Sequence, residues 1–215
     1  SIINFAAETH VDRSIDNSDD FVITNILGVQ KLISLSKKIY QKNKHFKFLQ
    51  VSTDEVFGSI DKGSFNEKSP YKPNSPYAAS KAAADHLVFS NHKTFGFPGI
   101  ISNCSNNYGP FQFPEKLIPL TITNCIDERI LPVYGTGENI RDWLYVNDHC
   151  DAINKVITKG VVGETYLIGG NNEIKNIEIV KKICSILDNL RPRQNGESYK
   201  SLIKLVEDRP GHDFR

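Results

Sequence analysis

Hydrophobic positions along the chain fall into two alternating rhythms. The opening SIINFAA is a short apolar run of the kind a buried strand needs, and FKFLQVS (46–52) is another. Between them, residues 21–40 (FVITNILGVQKLISLSKKIY) place apolar side chains at helical spacing. Lysines gather toward the end of that stretch, where the helix dipole favours cations. A loop punctuated by Pro70, Pro73 and Pro76 follows, and Ser75 is placed to cap a helix over 77–93 with Pro76 in its first turn. FPGIISNCSN (97–106) reads as the next strand. Strand, helix, strand, helix, strand at these lengths predicts an α/β fold on a doubly wound parallel sheet.

The texture changes after Tyr108. YGPFQFPEKLIP is rich in proline and aromatics and reads as a shaped loop, followed by a helix over 117–125. LPVYGTGENIRDWLYVNDH carries hairpin-like turn signals at Gly135 and Gly137, then an apolar strand. A helix over 151–159 and a strand in GETYLIGG come next. Residues 178–190 form an amphipathic helix with Ile179, Val180, Ile183, Ile186, Leu187 and Leu190 on one side. Residues 191–200 read as an exposed connection, and the tail LVEDRPGHDFR as polar and turn-like. The expected division is a main sheet domain over 1–108 and a smaller α/β domain over 109–215, with 140–160 returning to the first.

Composition narrows the partners. Of the 215 residues, 39% are hydrophobic and 24% charged, with a net charge of +1, so no strong electrostatic case exists for nucleic acid or an anionic membrane. No apolar run approaches the ~20 residues that span a bilayer. Cys104, Cys125, Cys150 and Cys184 are widely spaced with no C-x-x-C pair, which favours reduced cysteines packed in a cytoplasmic protein's core. The chain has no methionine and opens directly on a strand, so it reads as a fragment lacking an N-terminal part.

The sharpest local anomaly is FKFLQVSTDEVFG, where a buried strand ends on Ser52, Thr53, Asp54 and Glu55. Ionisable groups are costly to bury without a partner or a task, and adjacent like charges push their pKa values apart. YAASK adds Tyr77 and Lys81, four apart and hence on one helix face. A neighbouring ammonium favours the phenolate, which makes Tyr77 a candidate general base near neutral pH. Ligands of doubly wound sheets bind beyond the carboxyl ends of the strands, where Thr53 and Tyr77 can both reach.

Ser/Thr with Tyr-x-x-x-Lys on adjoining elements resembles the triad of the short-chain dehydrogenase/reductase superfamily. FAAETHVDRS, STDEVFG, SPYAASKAAADHLV, NCSNNYGPFQFPEKLIP, PVYGTGENIRDWLYVNDH and DRPGHD together resemble the dTDP-glucose 4,6-dehydratase family, an extended branch, nearly end to end. Phe57 stands where tyrosine is more usual and Thr9 where serine is. The resemblance implies a Rossmann-type sheet and a nucleotide-sugar domain. It implies NAD as cofactor and dTDP-glucose as substrate, with oxidation at C4, elimination of water across C5 and C6, and reduction at C6. Thr53, Tyr77 and Lys81 would serve the oxidation, Glu55 would be the base of the elimination and Asp54 its acid.

The resemblance further places Ala6, Ala7, Glu8, Thr24, Tyr77, Lys81 and Asn107 at the cofactor. It places Thr9, Asn106, Lys116, Leu117, Pro132, Val133, Tyr134, Arg141, Asn176, Asp208, Arg209 and His212 at the nucleotide sugar. It implies a homodimer built from the helices over 24–40 and 77–93. No metal is expected: the reaction needs none, and His10, His86, His149 and His212 form no metal spacing. The glycine-rich phosphate turn G-x-G-x-x-G is absent, and the resemblance implies roughly 70–80 missing residues to carry it. Two other readings stay open. An epimerase or decarboxylase of the same superfamily shares Thr53, Tyr77 and Lys81 without needing the acid pair, and a truncated non-catalytic module would explain the absent turn.

Overall fold

The computed structural model describes residues 1–215. The chain runs β1 (Ile2–Asn4), α1 (Val11–Asp16), α2 (Asp19–Phe21), a π-helical segment (Val22–Gly28), α3 (Val29–Lys42), β2 (Phe48–Thr53) and a 3-10 turn (Asp54–Phe57). It continues through α4 (Pro76–Phe95), β3 (Gly99–Cys104), β4 (Asn106–Tyr108), α5 (Leu117–Ile126), β5 (Leu131–Tyr134) and β6 (Ile140–Tyr145). It ends with α6 (Val146–Lys159), β7 (Thr165–Ile168), β8 (Glu173–Lys175), α7 (Asn176–Leu190), a 3-10 turn (Tyr199–Leu202) and β9 (Ile203–Val206). No helix is long and apolar enough to cross a membrane.

The main sheet has the order β1-β2-β3-β7 with every pair parallel. All six residues of β2 are buried, because helices cover both faces. On one face Val29 and Ile33 of α3 and Ala84 and Val88 of α4 pack against Phe48 and Ile101. On the other, Ile153 and Val156 of α6 pack against Leu49, Val51 and Ile100. A fold class of doubly wound α/β type follows directly. A smaller core joins α5, α7 and the parallel pair β5–β9 through Cys125, Leu131, Val133, Val180, Cys184 and Tyr199. β6 links the two regions, pairing parallel with β4 and antiparallel with β8.

Several sequence expectations need correction. The turn at Gly135 and Gly137 closes no hairpin: β5 pairs with β9 and β6 with β4 and β8, so turn chemistry alone misassigned the partner strands. Leu205 and Val206, read as a polar tail, lie in β9. The connection over 191–200 is anchored, since Tyr199 is buried and its hydroxyl donates to the Arg191 carbonyl. On α7, Ile186 and Leu190 face outward, so the apolar stripe is wider than the core it meets. The helix expected over 151–159 starts at Val146, and Cys150 on it is exposed rather than packed.

The helix over 77–93 is realised as α4, with Ser75 accepting the Ala78 N–H at 3.1 Å and Gly96 ending it in left-handed geometry. The 3-10 turn that carries Asp54 and Glu55 ends on Gly58, whose φ of 79° suits glycine alone. A Cβ there would run into the Lys72 carbonyl oxygen. Gly58→Ala is therefore expected to destabilise the fold by about 1–3 kcal/mol, measured as a lowered urea midpoint. Gly63 has a φ of 83° but open space around it, so Gly63→Ala is expected to cost less. Equal losses would show that the approach of Lys72 contributes nothing.

Candidate active site

The carboxyl ends of the parallel strands form one rim, and the chemistry-bearing residues collect there. Thr53 is the last residue of β2, and its hydroxyl accepts the Glu55 N–H at 3.2 Å while donating toward Asp54 Oδ1 at 3.2 Å. The tight turn after β2 thus sets both carboxylates beside one hydroxyl. Asn103 Nδ2 on β3 fixes the Thr53 carbonyl at 3.0 Å. Tyr77 enters from the start of α4, 7% exposed, and the Thr53 hydroxyl beside its phenol favours the phenolate. Lys81, one turn on and 4% exposed, donates to the Val51 carbonyl at 2.7 Å.

The electrostatics divide the carboxyl pair. Burial pushes Asp54 up to about 7, and the Glu55 charge adds to that rise, with Arg141 opposing it. Burial also raises Glu55, and the Asp213 charge adds to that rise, but Arg141, Arg209 and Lys116 all favour its ionised form. More positive charge therefore faces Glu55 than Asp54. Tyr77 corrects an expectation: its pKa lies well above the ordinary value because burial and the Glu55 charge outweigh its hydrogen bond to Thr53. The Lys81 ammonium rests on the Val51 carbonyl, and burial lowers its own pKa.

A cleft of about 330 Å³ opens beside the acid pair, lined among others by Asp54, Glu55, Asn106 and Arg141. Arg141 is held from behind, its guanidinium donating to the carbonyls of Ile140 and Asp213 at 2.7 and 2.8 Å. Tyr134 and Arg209 meet at Asp12 of α1. Arg209 Nη1 pairs with Asp12 Oδ1 at 3.0 Å, and the Tyr134 hydroxyl donates to Asp12 Oδ2 at 3.0 Å. His212 sits edge-on to the Tyr134 ring and bonds Asp208 at 2.6 Å. Pro132 and Val133 lie on the same strand as Tyr134. Lys116, just before Leu117 at the start of α5, donates to the Thr9 carbonyl at 3.0 Å. Asn176 begins α7 and is tied by its backbone to Asn139. Ala6 and Ala7 follow β1 without bulk, and Glu8 is clamped at both backbone groups by Asn25 (2.9 and 3.0 Å). Thr24 precedes Asn25 in the π-helical segment. Asn107 Oδ1 accepts a hydrogen bond from His149 Nδ1 at 2.8 Å, while His149 Nε2 is buried without a partner.

The family model described as GDP-mannose 4,6 dehydratase matches residues 1–215. The chain belongs to the GDP-mannose 4,6 dehydratase family. A dTDP-glucose 4,6-dehydratase of Xanthomonas campestris pv. campestris (strain B100) is 52% identical over 221 residues, covering 100% of this chain and 63% of the relative. One from Escherichia coli is 52% identical over 232 residues, covering 100% and 64%. The chain thus spans a little under two thirds of these relatives. The crystal structure of the Streptomyces venezuelae dTDP-glucose 4,6-dehydratase with NAD bound has a TM-score of 0.88 and 46% identity, over 99% of this chain and 62% of that one. A UDP-glucuronic acid 4-epimerase from Bacillus cereus has a TM-score of 0.84 at 25% identity, over 99% and 64%.

Within this family framework, sequence reasoning overlooked the residues that hold the named ones. Asp12, Asn25, Asp85, Asn103 and Glu115 are polar groups whose roles appear only as contacts. Asp12, Asp85, Asn103 and Glu115 lay within quoted motifs, so their placement there was the available signal; Glu115 pairs with Arg13 at 3.2 Å and Lys116 at 3.7 Å. The raised pKa of Asp54 carries a stability consequence. Its folded value of about 7 exceeds the ordinary one, so its contribution is fully present below the unfolded pKa and is lost as pH rises through 7. Asp54→Asn is expected to melt above the wild type at pH 8 and to lose that advantage at pH 4, by calorimetry at both values. A constant difference would show that Asp54 keeps an ordinary pKa.

Proposed function

We propose that the complete gene product is an NAD-dependent hydro-lyase that converts dTDP-glucose to dTDP-4-keto-6-deoxyglucose and water. One observation carries this: an adjacent, half-buried carboxyl pair beside Thr53 and Tyr77, whose members face unequal positive charge. An oxidation–reduction of one hydroxyl needs only Tyr77, Thr53 and Lys81, whereas elimination needs an acid and a base together. The names of relatives about half identical in sequence support the same substrate.

The residues present fit a dinucleotide. Small Ala6 and Ala7 allow close backbone approach at the end of β1, and Thr24, Tyr77, Lys81 and Asn107 surround the same rim. When bound there, NAD supplies the hydride acceptor and a cationic ring. Tyr77 takes the proton of the C4 hydroxyl, which Thr53 orients, and Lys81 adds positive potential. The resulting 4-keto group acidifies C5–H. Glu55 takes that proton as the C5–C6 double bond forms, and Asp54 protonates the departing C6 hydroxyl, so that water leaves. Return of the two reducing equivalents to C6 and of a proton to C5 completes the methyl group.

Arg141, Arg209 and Lys116 supply the positive charge a diphosphate requires. Arg209 Nε and Asn176 Oδ1 are buried without partners, and a polar ligand would satisfy them. The outer face of the π-helical segment, α3 and α4 exposes Ile23, Leu27, Leu35, Phe89 and Phe95, which supports pairing with a second copy through these helices.

Incubation with dTDP-glucose is expected to give a product lighter by one water; an unchanged mass with inverted stereochemistry would replace this reading by the epimerase. Glu55→Gln is expected to lower turnover about 10²–10⁴-fold while reduced-nicotinamide absorbance still appears on mixing. Unchanged turnover would remove Glu55 from the elimination. Leu27→Asp is expected to shift sedimentation from dimer to monomer; a monomeric wild type would refute the helix-face pairing.

A further inference from the structure

Asp85 has no part in the chemistry above, yet it stands directly behind it. It is 1% exposed, and its Oδ2 accepts hydrogen bonds from Ser52 Oγ (2.7 Å), the Tyr71 hydroxyl (3.1 Å) and Asn103 Nδ2 (3.3 Å). Those donors come from β2, the loop before α4, and β3. Two of them reach Thr53: Ser52 is its neighbour, and Asn103 Nδ2 also holds the Thr53 carbonyl at 3.0 Å. On α4, Asp85 lies one turn beyond Lys81, which lies one turn beyond Tyr77. Lys81 makes no ion pair; its ammonium rests on a neutral carbonyl in a buried setting. A buried ammonium without compensating charge is unstable.

We propose that Asp85 is a positioning residue that keeps Lys81 cationic and holds Thr53 in line with Tyr77. One buried carboxylate thereby sets two parts of the proton-handling group from behind. The charged and titratable groups around it are few. Tyr71 faces it from the loop and is held neutral by burial; His86 lies against the Tyr71 ring at 5.3 Å. The Cys104 thiol, which faces Lys81 from β3, is pushed up to about 12, by burial first. Asp85 itself rises to about 6 through burial, with Ser52, Lys81, Tyr71 and Asn103 favouring its ionised form. Above that value the Lys81–Asp85 couple carries the charge of this layer. Burial lowers Lys81, and Asp85 is the largest influence opposing that fall.

The activity arm of the test rests on the proposed dehydratase reading; the titration arm does not. In the complete gene product labelled with 13C at lysine Cε, the Lys81 signal is assigned by Lys81→Arg and followed against pH in wild type and Asp85→Asn. The substitution removes the negative charge, so Lys81 is expected to lose its proton at a pH at least one unit lower, a tenfold change in its protonation equilibrium. The alkaline limb of the kcat profile with dTDP-glucose should move down by the same amount. Ser52→Ala removes one hydrogen bond but no charge, and is expected to leave the Lys81 titration where it is. Identical Lys81 titration in wild type and a folded Asp85→Asn would overturn the proposal. So would an equal shift in Ser52→Ala, which would assign the effect to packing. An inactive wild type with a shifted Lys81 signal would overturn only the dehydratase reading.

Discussion

Strand β2 is covered on both faces and still ends in a hydroxyl and two carboxyl groups, and the arrangement of the active rim follows from satisfying them. A strand in that position is ordinarily a run of apolar residues. Here Gln50, Ser52 and Thr53 are all buried and each needs a partner. Gln50 accepts from Asn4 on β1 at 2.9 Å, Ser52 donates to Asp85 on α4, and the Thr53 carbonyl is taken by Asn103 on β3. The polar residues therefore pin β2 to β1, β3 and α4. Uniqueness of register at this rim is a consequence of hydrogen bonding as much as of apolar packing.

The carboxyls beyond Thr53 leave this network and depend on the second region of the molecule. Arg141 is the one cation that acts on both Asp54 and Glu55, and it stands on β6, outside the main sheet. Its guanidinium is held by the Asp213 carbonyl, and Asn139 bonds the same oxygen at 3.1 Å. The tail thus orients the residue that governs the acid pair. A shift of β6 or of the tail would change the ionisation of Asp54 and Glu55 without touching either.

Local signals made the main sheet readable. Apolar runs at β1, β2 and β3, helical spacing over 21–40, and the Ser75–Pro76 start of α4 are decided within short windows. The smaller region was less legible because its strands pair across long separations: Leu131 meets Ile203 and Asn106 meets Trp143. Turn glycines at 135 and 137 report a change of direction but not the partner that follows. The site divides the same way. Thr53, Asp54, Glu55, Tyr77 and Lys81 advertise themselves by type and spacing, whereas Asn25, Asn103 and Asp12 are ordinary polar residues until the fold supplies their contacts.

Tyr77 shows why spacing alone was an incomplete argument for reactivity. An ammonium one turn away lowers a phenol's pKa only if desolvation and nearby anions do not exceed its effect. At Tyr77 they do, since burial and the charge of Glu55 both favour the neutral phenol. The neutral phenol is therefore the favoured form, and positive charge entering the rim would favour the phenolate. Glu55 responds in the same sense, because positive charge also favours its carboxylate. In the proposed reaction, a single change of potential at the rim would thus prepare Tyr77 and Glu55 together as bases, while Asp54, raised by burial and by Glu55 itself, would keep its proton for the leaving group.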